Sequence, residues 1–235
     1  MVRATTAAAT AAFAFASVSA AAPLTTPPSA PATDYSSLTC PAGAFGTLPT
    51  PTYGGRGALF TVCSGVAIGA AAPRVRDAVL DFRGYARWNS FVVAVTGLPA
   101  NVTRTPRDDY VGMPMTFTSA GLLPAGLNAT SAEVLTVLSG AGVGSGEGGG
   151  EGAGRPYLLV AWRYDDSLAG VGARAEHAVV IVERGPRSSW VLSYETFYAG
   201  LLTPAIALLK GRQQAQFDAQ AADLKAYVEG MAWRE

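Results

Sequence analysis

The chain has 235 residues, of which 49% are apolar, so it can form one domain with a sizeable core and additional segments. Its 17 lysine and arginine residues and 17 aspartate and glutamate residues give a formal net charge of zero, and no basic block stands out. Because nucleic-acid binding needs clustered cations that neutralise phosphates, this composition argues against a nucleic-acid partner.

The N-terminus has the features of a targeting sequence. Residues 1–20 contain no acid and end in the small-residue run Val18-Ser19-Ala20 after an alanine-rich stretch. This pattern predicts a secretory signal peptide; a mitochondrial transit peptide is the alternative, although transit peptides are richer in arginine. The sequons at Asn101 and Asn128 favour secretion and are candidate N-glycosylation sites. No later segment is apolar over the length of a membrane span, so no stable span is expected.

Residues 21–56 are rich in proline, serine, threonine and alanine, which predicts an extended arm rather than a separate domain. The chain has two cysteines, Cys40 in this arm and Cys63 in the first predicted strand. An even number of cysteines fits an oxidising compartment, so our hypothesis is a disulfide that attaches the arm to the sheet. Two separate thiols, one of them a small core residue, are the alternative.

The first predicted strand, residues 59–68, is followed by an unusual pattern over residues 71–91. Pro73 stands where the start of a helix tolerates proline. A stripe of apolar residues with helical spacing follows, which predicts a helix. We expect Gly84 to end this helix. A second short helix is predicted from three aromatic residues with helical spacing: Tyr85, Trp88 and Phe91.

Six further strands are predicted from period-two alternation and β-branched content: residues 91–97, 110–119, 129–138, 157–164, 176–183 and 190–198. Pro114 lacks a backbone donor, so its strand is expected to be an edge strand or to carry a bulge. Residues 140–155 are too rich in glycine to order and predict a flexible loop between the fourth and fifth strands.

The last predicted element is a helix from Leu201 to about Gly230. Its apolar residues fall mostly three, four or seven apart and form one broad face, whereas Gly211 is a weak point. A helix of this length after a set of antiparallel strands is expected to lie across the sheet, because little else remains to bury its apolar face.

The order of strand, helix, break, short aromatic helix and strand resembles the opening of the START-like, Bet v 1-like (SRPBCC) superfamily, in particular its polyketide-cyclase and coenzyme-Q-binding branch. Glu176-His177 before an apolar strand is also similar to that superfamily, as is the run of residues 194–204 into the final helix. The resemblance implies an α+β helix-grip fold over residues 57–230. In that fold a seven-stranded antiparallel sheet curves around a long C-terminal helix, and two short helices follow the first strand.

His177 is the single histidine of the chain, and the sequence contains no nucleophile elbow and no dinucleotide-binding glycine motif. With one histidine and two cysteines, neither a metal site nor a cofactor is predicted. If the last hairpin turns at residues 185–188, antiparallel pairing brings His177 opposite Glu195 or one residue away. The resemblance implies that their face looks into a cavity, where Glu195 would bind a ligand hydroxyl, orient the imidazole or exchange a proton. A structural cross-strand pair is the alternative.

The function predicted from the sequence is binding or carriage of a hydrophobic small molecule, such as a lipid, sterol, quinone or polyketide, in a cavity between sheet and helix. A cyclase or aromatase-like enzyme on the same fold and a secreted protein-interaction module are the alternatives. The candidate cavity residues, each of which is otherwise ordinary core, are His177 and Glu195 together with Trp88, Phe91, Met115, Phe117, Trp162, Phe197, Leu202, Ile206 and Leu209.

Overall fold

The computed structural model describes residues 33–139, 156–167 and 171–232. They contain seven strands in a single antiparallel sheet with the spatial order β1-β7-β6-β5-β4-β3-β2. The predicted signal peptide and the whole of the predicted glycine-rich loop lie outside the described residues. The predicted α+β architecture is confirmed, with strands at β1 (Ala58–Ile68), β2 (Val92–Thr96), β3 (Pro114–Ser119), β4 (Ala129–Leu138), β5 (Tyr157–Ser167), β6 (Ala173–Gly185) and β7 (Ser188–Tyr198).

Two short helices follow β1, as predicted: α1 (Ala72–Leu80) and a 3-10 helix (Phe82–Arg87). The expectation that Gly84 ends the first helix was wrong, because α1 ends at Leu80 and Gly84 lies inside the 3-10 helix. A Cβ on Gly84 would lie 2.1 Å from the Asp81 carboxylate, so a larger residue there would displace the ion pair of Asp81 with Arg87.

The C-terminal helix is divided into α2 (Thr203–Ala207) and α3 (Lys210–Ala232), so the prediction of one helix from Leu201 was wrong. At the junction Leu208 and Leu209 donate backbone hydrogen bonds three residues back instead of four, at 3.2 and 2.9 Å. Gly211, in the first turn of α3, lowers helix propensity next to this break. Among the described helices, none combines the length and apolarity needed to cross a bilayer.

The strand predicted to begin at residue 110 begins at Pro114, because Gly112 adopts a left-handed φ of 92° in the preceding turn. The expectation that Pro114 marks an edge strand or a bulge in its strand was also wrong, since β3 lies between β2 and β4. Proline is tolerated because it is the first residue of β3 and pairs there with Val134 of β4 alone.

The long helix α3 is fixed to the free edge of β1 by polar side chains. The Gln214 side chain accepts a hydrogen bond from the Cys63 backbone N at 3.1 Å and donates one to its carbonyl at 2.8 Å. Lys225 donates to the Ala67 carbonyl at 2.9 Å. Because β1 is an edge strand, these bonds occupy backbone groups that could otherwise pair with another chain.

The described part of the arm, residues 33–56, lies on the sheet face opposite α3. Here Glu176, which is fully buried, accepts hydrogen bonds from the Thr52 backbone N at 2.8 Å, the Thr52 hydroxyl at 2.6 Å and the Thr136 hydroxyl at 2.7 Å. Leu48 and Tyr194 belong to a second core on this outer face. Both faces of the sheet therefore carry buried structure.

Cys40 and Cys63 form a disulfide, the pairing predicted from the sequence. The bond attaches the arm to β1. A disulfide is consistent with an extracellular protein. Asn101 and Asn128 are both exposed, so N-glycosylation and secretion stay predictions.

Replacing both cysteines, Cys40→Ala with Cys63→Ala, is expected to lower the free energy of unfolding by about 3 kcal/mol, because the unfolded chain regains the freedom of a closed loop. Urea denaturation of the double variant, with reduced wild-type protein as the control, measures this loss. An unchanged midpoint in both samples would contradict the proposed role of the bond in holding the arm.

Candidate functional site

The inner face of the sheet meets α3 at a small hollow. Because alternate strand residues point to the same face, His177 and Val179 of β6 share this face with Val191 and Ser193 of β7. α3 covers them, and the chain after β1 closes the side. The remaining lining residues are Ser64, Val66, Val79, Tyr85, Trp88, Trp162, Gln220, Ala221 and Leu224.

The hollow has a volume of about 20 Å³, which is space for one water molecule. Among the predicted cavity residues, Trp88, Trp162 and His177 line it. Other predicted cavity residues are buried in the surrounding core without lining the hollow: Phe91, Met115, Phe117 and Phe197.

The three leucine and isoleucine residues predicted near the start of the helix lie away from the hollow. Leu202 is 46% exposed, Ile206 packs against the edge of the core, and Leu209 is half-buried at the junction of α2 and α3. The break between the two helices directs this segment away from the stripe that faces the sheet.

His177 lies between two aromatic rings. Its ring centroid is 4.4 Å from that of Trp162 and 4.8 Å from that of Phe217, and its Nε2 is 2.8 Å from the Ser193 hydroxyl. Burial lowers the pKa of His177 to about 3. The imidazole is therefore neutral at physiological pH and is held by stacking and one hydrogen bond.

Glu195 lies directly opposite His177 in the register of β6 and β7, as the predicted turn required. Although its side chain is not fully covered, burial raises the pKa of Glu195 to about 7. Within the described part of the chain the Glu195 carboxylate has no hydrogen bond or ion pair, since His177 bonds to Ser193 instead. Glu195 is thus a carboxyl group that holds its proton near neutral pH on the inner face.

Two polar atoms of the lining are buried without a hydrogen-bond partner: the indole Nε1 of Trp88 and the side-chain Oε1 of Gln220. Gln220 is only 7% exposed. Gln220 was missed from the sequence because only the apolar residues of the helix were predicted to face the sheet. Its spacing from Phe217 and Leu224, three and four residues, was the signal that places it on the buried stripe.

Trp88 closes the side of the hollow between the 3-10 helix and α3. Its ring stacks on Tyr227 of α3 with centroids 5.7 Å apart and contacts Tyr85 edge to face at 5.1 Å. The described residues contain no group of histidine, cysteine, aspartate or glutamate side chains that would hold a metal ion. The lining therefore offers one unpartnered donor and one unpartnered acceptor among mostly apolar side chains.

Similar proteins were found among solved structures. No protein-family model matches the sequence, and no curated protein is similar to it. The aromatase/cyclase Zhui of Streptomyces sp. R1128 is similar with 12% identity and a TM-score of 0.52, over 73% of this chain and 94% of that one. A hypothetical protein of Helicobacter pylori is similar with 16% identity and a TM-score of 0.51, over 72% of this chain and 87% of that one.

A START superfamily protein of Mycobacterium smegmatis is 15% identical and covers 73% of this chain and 98% of its own, with a TM-score of 0.48. At these identities the likeness concerns the fold. Three features of this chain fit that fold: the seven-stranded antiparallel sheet, the two short helices after β1 and the C-terminal helix across the inner face. The likeness to the aromatase/cyclase and to the Helicobacter pylori protein shows that the chain has the helix-grip fold, in which a curved antiparallel sheet holds a C-terminal helix.

Proposed function

We propose that this protein binds and carries a hydrophobic small molecule that has a polar group, in the hollow between the sheet and α3. The observation that carries the proposal is the pair of unpartnered polar atoms, Trp88 Nε1 and Gln220 Oε1, in residues of a mostly apolar and aromatic lining. Ligand sites commonly combine such a lining with a few polar groups that fix orientation.

The physical argument rests on the cost of burying polar atoms. A buried donor or acceptor without a partner costs about 1–3 kcal/mol, and most such atoms in folded proteins are paired. A hydroxyl-bearing guest can accept a hydrogen bond from an indole N–H and donate one to an amide oxygen. Such a guest would remove part of this cost, whereas a purely apolar guest would not.

The size of the hollow limits how the guest is admitted. Sites for drug-sized ligands have volumes of about 300–1,000 Å³, far above the 20 Å³ found here. Binding of a lipid, sterol, quinone or polyketide therefore requires the lining to move. Trp88 is the side chain best placed to do so, because it is only partly buried and joins two elements through its stack on Tyr227.

The proposal is tested by native mass spectrometry of the purified protein, followed by lipid extraction. The expected result is an added mass that is lost on unfolding and recovered in the organic extract. A protein that carries no extractable compound and binds neither naphthol nor a fluorescent sterol such as dehydroergosterol would overturn the carrier function.

The polar part of the site is tested with the ligand pair naphthol and naphthalene, which differ by one hydroxyl. Wild-type protein is expected to bind naphthol about tenfold more tightly, because one additional hydrogen bond contributes about 1.4 kcal/mol. Gln220→Leu should reduce this difference, because only the Trp88 indole then remains to bond the hydroxyl, and should leave naphthalene binding intact, with an unchanged or slightly higher free energy of unfolding. Isothermal titration calorimetry measures both affinities.

Gln213→Leu is the matched control for this experiment. Gln213 is 6% exposed and its Oε1 also lacks a partner, but it does not line the hollow. The control variant should keep the full preference for naphthol. Reduction of the preference in both variants, or in neither, would contradict a specific role of Gln220.

Glu195 supports a second candidate function, proton transfer to or from a bound molecule, as a cyclase-like enzyme would need. The supporting observation is that its carboxyl group is unpaired on the inner face and has its pKa raised by burial to about 7. A group with this pKa donates and accepts protons near neutral pH. Glu195 does not line the hollow itself but lies two residues from Ser193, which does.

The raised pKa of Glu195 predicts a pH-dependent difference between wild-type protein and Glu195→Gln. The folded state binds this proton more strongly than the unfolded state, so wild-type stability falls between about pH 4.5 and pH 7 relative to the variant. At pH 8 the variant should be more stable by about 2 kcal/mol, allowing for partial exposure. Near pH 4 the two proteins should be equal.

Urea denaturation of both proteins across this pH range measures the difference. His177 and the other titrating groups are present in both proteins and cancel in the comparison. A difference that does not change with pH would show that Glu195 ionises normally, and the proton-transfer function would then lose its support.

A further inference from the structure

Exposed apolar side chains are concentrated at one end of the sheet. The antiparallel topology brings the β3–β4 loop, residues 171–172 before β6 and the β7–α2 connection to this end. All the large exposed apolar side chains of the described residues except Tyr110 and Val111 lie here or beside the start of α3. We call this surface the apolar end; it consists of Phe45, Leu59, Leu127, Val171, Leu201, Leu202 and Leu208.

The segments of the apolar end are fastened to one another. The Leu201 backbone N donates to the Val171 carbonyl at 3.1 Å, which holds the β7–α2 connection against the start of β6. Arg212 donates to the Leu122 carbonyl at 3.3 Å, which holds α3 to the β3–β4 loop. Leu201 and Leu208 are 73% and 86% exposed, so their side chains protrude from segments whose backbone is held by hydrogen bonds.

Cations border these leucines. Residues 199–209 and 120–128 contain no charged side chain, and the first charges that follow the β7–α2 connection are Lys210 and Arg212. Lys210 donates to the Ala44 carbonyl, so both cations are positioned at the border of the apolar end.

The acidic residues at the same end of the sheet do not outnumber the cations. Asp165 and Asp166 stand at the end of β5, and Arg174 at the start of β6 lies at the same end of the sheet. Together with Lys210 and Arg212 the cations outnumber these acids. An apolar tip with a cationic border is complementary to a lipid surface that carries negative headgroups.

We infer that the apolar end docks on a membrane surface containing anionic lipid, with Leu201, Leu202 and Leu208 inserted at the headgroup boundary. Lys210 and Arg212 would then contact phosphates while their aliphatic stems lie along the leucines. Single leucines that protrude from connecting segments favour a deformable lipid layer over a rigid protein partner, which would need a preformed complementary surface. The inference does not depend on the proposed ligand, because docking requires no occupied hollow.

Co-sedimentation with vesicles tests the inference, using the full chain freed of N-glycans because Asn128 stands at the same end. Wild-type protein is expected to sediment with vesicles of phosphatidylcholine and phosphatidylserine and less with phosphatidylcholine alone. Leu201→Ser with Leu208→Ser should weaken binding about tenfold or more, because two exposed apolar groups no longer insert. Lys210→Gln with Arg212→Gln should remove the preference for phosphatidylserine.

Val111→Ser is the matched control, since Val111 is 60% exposed at the opposite end of the sheet and should leave binding unchanged. Thermal melting of each variant verifies that the fold is retained. Wild-type protein that stays in solution with both vesicles would overturn the inference. Equal weakening by Val111→Ser would overturn it too, as would a leucine-dependent dimer that binds no vesicles.

Discussion

The alternation of side chains along β6 is the constraint on which the rest of the structure depends. Glu176 and His177 are neighbours in the chain but point to opposite faces of the sheet. A slip of one residue in the pairing with β7 would exchange them. It would place a carboxylate between Trp162 and Phe217 and an imidazole beneath the N-terminal arm. The register with β7 therefore determines both the arm contact and the inner face.

The two faces of the sheet differ in whether their buried polar groups have hydrogen-bond partners. On the outer face, Glu176 receives three hydrogen bonds, which explains how a fully buried carboxyl group is accommodated. On the inner face, Trp88 and Gln220 each keep a polar atom without a partner, and Glu195 keeps a proton instead. The satisfied group has a structural role, whereas the unsatisfied groups mark where the fold accepts a cost. Such costs are common at functional sites.

The small size of the hollow is a consequence of how α3 is held. Polar bonds from Gln214 and Lys225 fix the helix to the edge of β1, and Phe217 packs on the ring of His177. These contacts bring the helix close to the sheet and leave little free volume. Under the proposed carrier function, a ligand larger than a water molecule would have to displace part of the lining, and the stack of Trp88 on Tyr227 is the contact that we propose to move.

Much of the strand arrangement followed from local patterns. Residues 129–138 form a strand with the predicted bounds, and the turn predicted at residues 185–188 set the pairing of His177 with Glu195. The position of Gln220 was missed because glutamine on a helix is usually predicted to face solvent. Only the burial of its neighbours Phe217 and Leu224 shows that it faces the sheet. The break before Lys210 was also missed, since apolar spacing continues through Leu208 although that side chain is exposed.

The sequence by itself determined the number and chain order of the strands and the face shared by His177 and Glu195, because alternation and turn position act over short distances along the chain. Tertiary structure decided which polar groups found partners and how much space remained between sheet and helix. These properties depend on the separation and orientation of elements far apart in sequence. Ångström-scale differences in that packing decide whether a hollow admits a water molecule or a larger guest.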